Sequence, residues 1–324
     1  MAVFSTPEQQ GYVHDNASET NANGSLVPGV ETLGEFELSD WMRMLSLLIA
    51  ILGLVGNSII LWLLGFRIPR NPYSVYILNL AGTDALFLCC SFLLSIHEFA
   101  SYFYYSFTYE VLIYVTYTFY MLGLSQLVAI STERCLSVLF PIWYQCHRPK
   151  HTSAAVCTLL WALTSLVGVA DFVVCFYVYS HHICSDIFII EVLWFILFTF
   201  VLCGSSLTLL LRVQCSSQRR QPPRLYLLIL LTVLVFLLCG LPMGIGDFLL
   251  SFHKVFKPCW LCQLLACVNS STNPFIYFFV GSQSHKRRES LSVVLQRALG
   301  SQQELGDGMR NTPHPNRQET SSQG

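Results

Sequence analysis

The sequence predicts an all-α membrane protein: a seven-transmembrane-helix bundle followed by a short amphipathic helix on the membrane surface. Of the 324 residues, 53% are hydrophobic and only 11% are charged, about half the charged fraction of a soluble domain. Seven stretches are long and apolar enough to cross a bilayer core of about 30 Å, which takes roughly 20 helical residues. Basic residues are concentrated in alternate connections between these stretches, as the positive-inside rule requires.

The spans define the organisation of the chain. We place them near 41–64, 73–98, 108–135, 153–175, 187–211, 225–250 and 259–280. Residues 1–40 then form an acidic leader, 41–280 the bundle, 281–299 the surface helix and 300–324 a disordered tail. The leader lacks the basic start and apolar core of a cleavable signal peptide, so we expect the first span to direct insertion.

The distribution of charged residues predicts the orientation of the chain in the membrane. The connections between spans one and two, three and four, and five and six are basic, as is the segment after span seven. They are therefore expected in the cytoplasm, with the amino terminus outside the plasma membrane. The leader has no Lys or Arg and carries two glycosylation sequons, at Asn16 and Asn23, which agrees with an extracellular position. No basic nucleic-acid footprint is present.

Two outer cysteines are candidates for a disulfide. Cys175 ends the fourth span and Cys184 lies just before the fifth. Because the extracellular side is oxidising, a bridge across this short loop is plausible. Cys259 and Cys262 are a second candidate pair.

Asp84 is a carboxylate in the middle of the second span. A charge there is unfavourable by about 2.5–3.5 kcal/mol on insertion scales, so it needs polar partners from other helices. The candidates are Asn57, Asn269, Ser270 and Asn273. Two interpretations stay open: a water or sodium site that helps switch packing states, or a static polar clamp.

Pro242 and Pro274 interrupt spans six and seven. Each lacks an amide donor and clashes with the carbonyl four residues earlier, so we expect a kink at each. Asn273 precedes the second kink and Tyr277 follows it by nearly one turn. We therefore interpret Pro274 as a hinge that carries polar groups toward the cytoplasm.

Glu133 and Arg134 end the third span. Glu133 could hold Arg134 in one state and release it in another, so that the guanidinium donates hydrogen bonds to a cytoplasmic partner. The alternative is that Arg134 is only one more basic flank of a membrane helix.

The segment after span seven has a basic cluster at 286–288, followed by apolar residues at helical spacing. Such a helix is expected to lie on the anionic lipid of the inner leaflet. Thr320, Ser321 and Ser322 in the tail could accept phosphate, and a plain solvated tail is the alternative.

These motifs, in this order, resemble those of the rhodopsin-like G-protein-coupled receptors: Gly56-Asn57, Asp84, Glu133-Arg134-Cys135, Trp161 and Asn273-Pro274-Phe275-Ile276-Tyr277. Further runs resemble the Mas-related receptors, among them 62–67, 76–81, 131–144 and 203–207. The resemblance covers about 40–299.

The resemblance implies a heterotrimeric G protein, commonly Gq or Gi, contacting Arg134 and the inner ends of spans five and six, with Pro242 and Pro274 as hinges. It also implies the Cys175–Cys184 bridge, since Tyr109 stands where most relatives have the cysteine of the usual bridge. Gly240 replaces the usual tryptophan below Pro242.

For the ligand, the resemblance points to varied small molecules and peptides, often basic. Some members recognise cations with an acid at the position of Asp171, but their second acidic position is Phe188 here. Asp186 and Glu191 are near enough in sequence to substitute.

Charge supports a cationic ligand. By the expected topology the outer half holds 13 of the 19 acidic residues, a field that concentrates cations. Besides the seven acids of the leader, these are Glu98, Glu110, Asp171, Asp186, Glu191 and Asp247. Thr116 stands where monoamine receptors have their aspartate, which argues against that mode of binding.

Other function classes fit less well. A carrier usually shows internal repeats, which are absent from the sequence. His147 and His151 are four apart, but Pro149 between them removes the metal-helix interpretation, and no catalytic pair stands out, so we do not expect an enzyme. An atypical or constitutively active receptor without a cationic ligand remains an alternative. Pro222 replaces an acid that pairs with the arginine in some receptors, so we expect appreciable ligand-free activity.

Overall fold

The computed structural model describes residues 38–68, 71–100, 107–149, 151–178, 181–215, 231–246, 260–282, 291–293 and 295. Every regular element within these ranges is helical, which confirms the all-α fold. Several sequence-based predictions fall outside the described residues: the sequons at Asn16 and Asn23, Pro222, Asp247, Cys259 and most of the surface helix.

Seven long helices form the bundle, labelled α1 to α7. They are α1 Leu38–Trp62, α2 Pro72–Ala100, α3 Phe107–Leu139, α4 Thr152–Asp171, α5 His181–Cys215, α6 Leu231–Gly246 and α7 Trp260–Ser282. π-helical turns extend α1 over Leu63–Arg67 and α4 over Phe172–Val178, and a short helix, Pro141–Cys146, lies between α3 and α4. α5 begins at His181, ahead of the start near 187 that we expected for the fifth span, and contains Cys184.

The helices have the apolar character of membrane spans. The first five are long and apolar enough to cross a bilayer, judged by length and composition. The described part of α6 is apolar but shorter, at 231–246. α7 has 23 residues and is more polar, because it carries buried Asn and Ser side chains.

α3 is the central helix and packs against α2, α4 and α5, while α1 packs against α2 and α7. One buried apolar cluster fills the half of the bundle that is predicted to face the cytoplasm, around Tyr76, Leu127 and Phe236. A second fills the outer half, around Phe87, Tyr120 and Cys267. Apolar side chains also cover the outside: Leu166 of α4 is 67% exposed and Phe200 of α5 is 76% exposed. Lipid tails, unlike water, suit such a surface.

Candidate functional site

Asp84 lies in a buried polar centre formed by α1, α2 and α7. The residue is 3% exposed, and Asn273 donates a hydrogen bond of 2.8 Å from Nδ2 to its Oδ2. The side chain of Ser270 makes a second hydrogen bond to the carboxylate. Asn57 does not reach Asp84 directly; its Nδ2 donates to the carbonyl oxygens of Ser270 at 3.1 Å and Gly53 at 3.0 Å. Three of the four expected partners are therefore part of one network.

Pro274, inside α7, explains the role of Asn57. Because proline has no N–H, the carbonyl of Ser270, four residues earlier, loses its donor within the helix. The Asn57 side chain supplies one. Close packing makes this contact feasible, since a Cβ added at Gly56 would lie only 3.2 Å from Cβ of Pro274. Asn269, the fourth expected partner, is also buried in α7.

Tyr277, a turn beyond the kink, faces an internal cavity in the cytoplasmic half. The side chain is 3% exposed. The cavity has a volume of about 20 Å³, room for one water molecule, and lies between α2, α3, α5, α6 and α7; its lining includes Tyr73, Ser131, Thr232 and Tyr277. Tyr277, which follows Pro274, and Ser131, near the end of α3, therefore line the same cavity.

Glu133 is paired with Arg148, which follows the short helix Pro141–Cys146. Nη2 of Arg148 donates to Glu133 Oε1 at 2.7 Å and Nε donates to Oε2 at 3.3 Å. The Tyr76 hydroxyl also donates to Glu133, at 3.0 Å. The contact that we expected between Glu133 and Arg134 is therefore not the one formed, because a bidentate guanidinium and a phenol already occupy the carboxylate.

Charge and burial shift the pKa of Arg148 in opposite directions. Burial lowers the pKa of Arg148, but the hydrogen bond and the charge of Glu133 outweigh it, so the pKa lies above its ordinary value. Burial, helped by Glu133, also raises the pKa of the Tyr144 hydroxyl. Arg148 therefore stays charged and continues to hold Glu133 at any physiological pH.

Arg134 contacts an aromatic ring rather than an acidic side chain. Its Cζ lies 3.3 Å from the centroid of the Tyr73 ring, and the residue is 3% exposed. Its Nε and Nη2 have no hydrogen-bond partner among the described residues. Burying a guanidinium with unused donors is unfavourable, so the buried position favours release when an acceptor arrives.

A hydroxyl cluster links α3 to α5 one turn before Arg134. Oγ of Ser131 lies 2.7 Å from Oγ of Ser205 and 3.1 Å from Oγ of Ser206. These two serines belong to the run 203–207 on which the sequence resemblance partly rests, and their position gives that run a packing role.

α6 contains a π-helical turn, Phe236–Gly240, which ends two residues before Pro242, the predicted hinge. Tyr120 of α3 donates a 3.0 Å hydrogen bond to the carbonyl of Gly240. A Cβ added at Gly240 would lie 2.5 Å from Cδ2 of Phe236, whose side chain is almost fully buried. The Phe236 ring therefore occupies the space beside Gly240, so a larger residue there would have to displace it.

At the outer end of the bundle, Cys175 and Cys184 form a disulfide with a Cα–Cα distance of 5.1 Å. This confirms the predicted bridge, which ties the end of α4 to the first turn of α5. Oδ1 of Asp171 lies 3.0 Å from Sγ of Cys175. A disulfide sulfur has no proton to donate and no thiolate to coordinate a metal, so this is a packing contact that fixes the position of the carboxylate.

The other predicted ligand-binding acids are distributed around the bundle. Glu110 lies half-buried in the first turn of α3, and Asp186 is exposed on α5. Glu191 is 8% exposed and lies seven residues beyond Cys184, about 10 Å deeper along the helix. The structure thus places Asp171 at the disulfide and Glu191 in a deeper layer.

A cluster of aromatic residues lies beside Asp171 and was not predicted from the sequence. Phe172 stacks on Phe176 with centroids 5.3 Å apart, and Tyr114 packs edge-on against Phe172 at 5.5 Å. Phe107 contacts both phenylalanines, at 6.2 Å and 5.7 Å. The spacing of four residues between Phe172 and Phe176 was the available signal, because such residues share a helix face.

Comparison with known proteins agrees with these features. Residues 56–277 match the family model described as 7 transmembrane receptor (rhodopsin family). The chain is 46% identical over 283 residues to Mas-related G-protein coupled receptor member X1 of Homo sapiens, covering 84% of this chain and 87% of the relative. It is 47% identical over 270 residues to member X2 of Homo sapiens, covering 79% and 82%. It is 43% identical over 295 residues to member B2 of Mus musculus, covering 86% and 87%.

Proposed function

The chain belongs to the Mas-related receptors of the rhodopsin family, which are multi-pass membrane G-protein-coupled receptors and not enzymes, and we propose that a cationic amine or basic peptide activates it from outside the cell. We further propose that it resides in the plasma membrane with its amino terminus outside, and that it signals through a Gq or Gi protein. The contact between the buried Arg134 guanidinium and the Tyr73 ring is the observation that supports the coupling proposal.

On activation, α6 moves about the π-turn and Pro242, and α7 about Pro274. The cavity that Tyr73, Ser131 and Tyr277 line then opens to the cytoplasm. Arg134 leaves the Tyr73 ring and offers its unused Nε and Nη2 donors to carbonyl or carboxylate oxygens of the G protein, which form stronger, charge-assisted hydrogen bonds. Ligand shifts the population because it binds this arrangement more tightly.

The contact between Arg134 and Tyr73 stabilises the resting state only weakly. A cation–π contact contributes about 0.5–2 kcal/mol, less than the 3–5 kcal/mol that breaking a buried ion pair costs. Glu133, the nearest acid in sequence, is occupied by Arg148. Both observations support appreciable ligand-free activity. They also favour the alternative of a constitutively active receptor that needs no cationic ligand.

Asp171 is our candidate for the cation contact. The disulfide fixes its position at the top of α4, and the aromatic cluster of Phe107, Tyr114, Phe172 and Phe176 lies beside it. An acid with aromatic neighbours suits an ammonium or guanidinium group, through both charge and cation–π attraction. Phe188, on α5, replaces the second acid of some relatives, so a single positive group is the expected requirement.

The Asp84 centre is a candidate sodium site. Its carboxylate and the hydroxyl of Ser270 are hard oxygen ligands, and Asn273 occupies only one carboxylate lone pair at Oδ2. A bound cation there would neutralise the buried charge and stabilise the resting packing of α2 against α7. Lipid at the surface helix and a kinase and arrestin at the tail complete the proposed partners.

The proposal can be tested in cells with calcium and cyclic-AMP responses to a panel of amines and basic peptides. We expect Asp171→Asn to lose the response to a cation that activates the wild type, whereas Asp186→Asn, a matched change at an exposed outer acid, keeps it. Arg134→Ala should abolish coupling with normal surface expression. Equal responses from wild type and Arg134→Ala would contradict the coupling proposal, and silence of the wild type toward every cation would contradict the ligand proposal.

A further inference from the structure

The chain reversal between α3 and α4 contains a helix that is too short to be stable by itself. It has six residues, Pro141–Cys146, and its N-cap residue, Phe140, has no polar side chain that could cap it. Isolated helices shorter than about 12–15 residues are marginal in water. Its apolar side chains are largely exposed, Ile142 at 76% and Trp143 at 49%. Contacts with the rest of the receptor must therefore hold this loop helix (Pro141–Cys146) in place.

Glu133 of α3 supplies those contacts. Arg148, just after the loop helix, donates to its two carboxylate oxygens at 2.7 and 3.3 Å. Tyr144, on the loop helix itself, makes a further side-chain hydrogen bond to Glu133. Cζ of Arg148 also lies 5.1 Å from the centroid of the Tyr144 ring, and Nη2 donates to Oγ of Ser153 at 2.6 Å. α3, the loop helix and the start of α4 therefore meet at one carboxylate.

This junction is shielded from water. The side chains of Arg148 and Glu133 are 6% and 13% exposed, and the Tyr76 hydroxyl of α2 also donates to Glu133, at 3.0 Å. Charge-assisted bonds of this kind are roughly twice as strong as neutral ones. Glu133 therefore binds the loop rather than Arg134, its neighbour in the sequence, which contacts the Tyr73 ring instead.

From this arrangement we infer that Glu133 is a positioning residue, which fixes the loop helix through Arg148 and Tyr144 in the orientation that the G protein binds. The inference rests on the proposed coupling through Arg134 and adds a sign to it. A carboxylate that restrained Arg134 would raise ligand-free activation when neutralised. A carboxylate that positions the loop helix lowers activation when neutralised, because the loop helix loses its anchor.

The loop helix is joined to the end of α3 by backbone hydrogen bonds. The N–H of Phe140 donates to the carbonyl of Leu136, and the N–H of Tyr144 donates to the carbonyl of Phe140, both at 2.9 Å. Arg134 lies about two turns before Phe140, so disorder of the loop helix reaches the turn of α3 next to it. A binding surface that is ordered only part of the time weakens the apparent affinity in proportion to the ordered fraction.

Hydrogen–deuterium exchange of the full-length receptor in lipid nanodiscs measures the order of the loop helix directly. Glu133→Gln keeps the size of the side chain and removes its charge, so amide exchange in residues 140–148 should be about tenfold faster or more, with no change in the outer half of α3. His147→Gln, at the exposed neighbour of Arg148, should leave exchange within about twofold of wild type. Equal exchange in 140–148 for the wild type and Glu133→Gln would overturn the inference.

The initial rate of nucleotide exchange on purified Gq or Gi, without ligand, measures the effect on coupling. The rate should fall about three- to tenfold in Glu133→Gln and in Arg148→Gln at equal amounts of receptor. The double variant should lose no more than either single variant, because both substitutions remove the same contact. A higher rate in Glu133→Gln than in the wild type would show that Glu133 restrains Arg134 and would overturn the inference.

The double variant also covers a failure of Glu133→Gln to fold, since it leaves no unpaired charge at Arg148. Amide exchange in 140–148 equal to wild type in the double variant would refute the inference. The coupling proposal fails by a different result, equal nucleotide exchange with the wild type and with Arg134→Ala. Amide exchange needs no G protein, so it decides whether Glu133 positions the loop helix in either case.

Discussion

Replacing Tyr73 by leucine should raise ligand-free signalling, because the ring of Tyr73 holds Arg134 in its buried position. The contact is close, with Cζ of Arg134 3.3 Å from the ring centroid. A cation–π contact of this kind contributes about 0.5–2 kcal/mol. Losing it from the resting state alone shifts the resting-to-active ratio by about 2- to 30-fold, at 1.36 kcal/mol per factor of ten.

Tyr73→Phe is the matched control. The Tyr73 hydroxyl has no hydrogen-bond partner among the described residues, and phenylalanine keeps the ring, so basal activity should stay within about twofold of wild type. The assay is ligand-free G-protein activation, normalised to receptor at the cell surface. Basal activity of Tyr73→Leu equal to wild type at equal expression would refute the reasoning, and an equal rise in Tyr73→Phe would assign the effect to the hydroxyl instead.

Three further predictions concern stability, each measured as the melting temperature of purified receptor. Arg148→Gln should lower it by the equivalent of up to about 3 kcal/mol, since the Glu133 side chain, 13% exposed, is left without its cation. Arg148→Lys should fall between the wild type and Arg148→Gln, and equal melting of all three would contradict the ion pair's role. Gly240→Ala should destabilise the receptor by about 1–3 kcal/mol because the new Cβ meets Phe236. A smaller effect of the same change in the Phe236→Leu variant would confirm that contact, and full additivity of the two substitutions would exclude it. Replacing choline by sodium should stabilise the wild type by about 1.4 kcal/mol at ten times the dissociation constant, and a similar gain in Asp84→Asn would contradict a sodium site there.

The polar centre could be predicted from the sequence because its residues have no alternative in a membrane. A carboxylate at Asp84 must find donors on neighbouring helices, and Asn273 does donate to it. The kink at Pro274 stays a prediction, although Pro274 does lie inside α7. The disulfide was predictable because Cys175 and Cys184 are nine residues apart across one short loop, so few geometries compete.

The arrangement around Arg134 could not be predicted, because it depends on how distant segments fold back. Glu133 and Arg148 are separated by 15 residues, and a chain reversal through the short helix brings them together. The position of Tyr73 under Arg134 depends on the relative rotation of α2 and α3, which hydrophobic patterning does not fix.

The disulfide also makes the contact between α4 and α5 more rigid than the contact between α3 and α4 at the outer end of the bundle. α4 and α5 are linked by a covalent bond, whereas within the described residues the outer end of α3 meets α4 through edge-on and tilted rings, with Phe107 against Phe172 and Phe176. Such non-covalent ring contacts can shift by an ångström, but a disulfide cannot lengthen. We therefore expect a bulky ligand at the outer end of the bundle to displace α3 relative to the linked α4–α5 pair. The aromatic contact between α3 and α4 is where that displacement takes place.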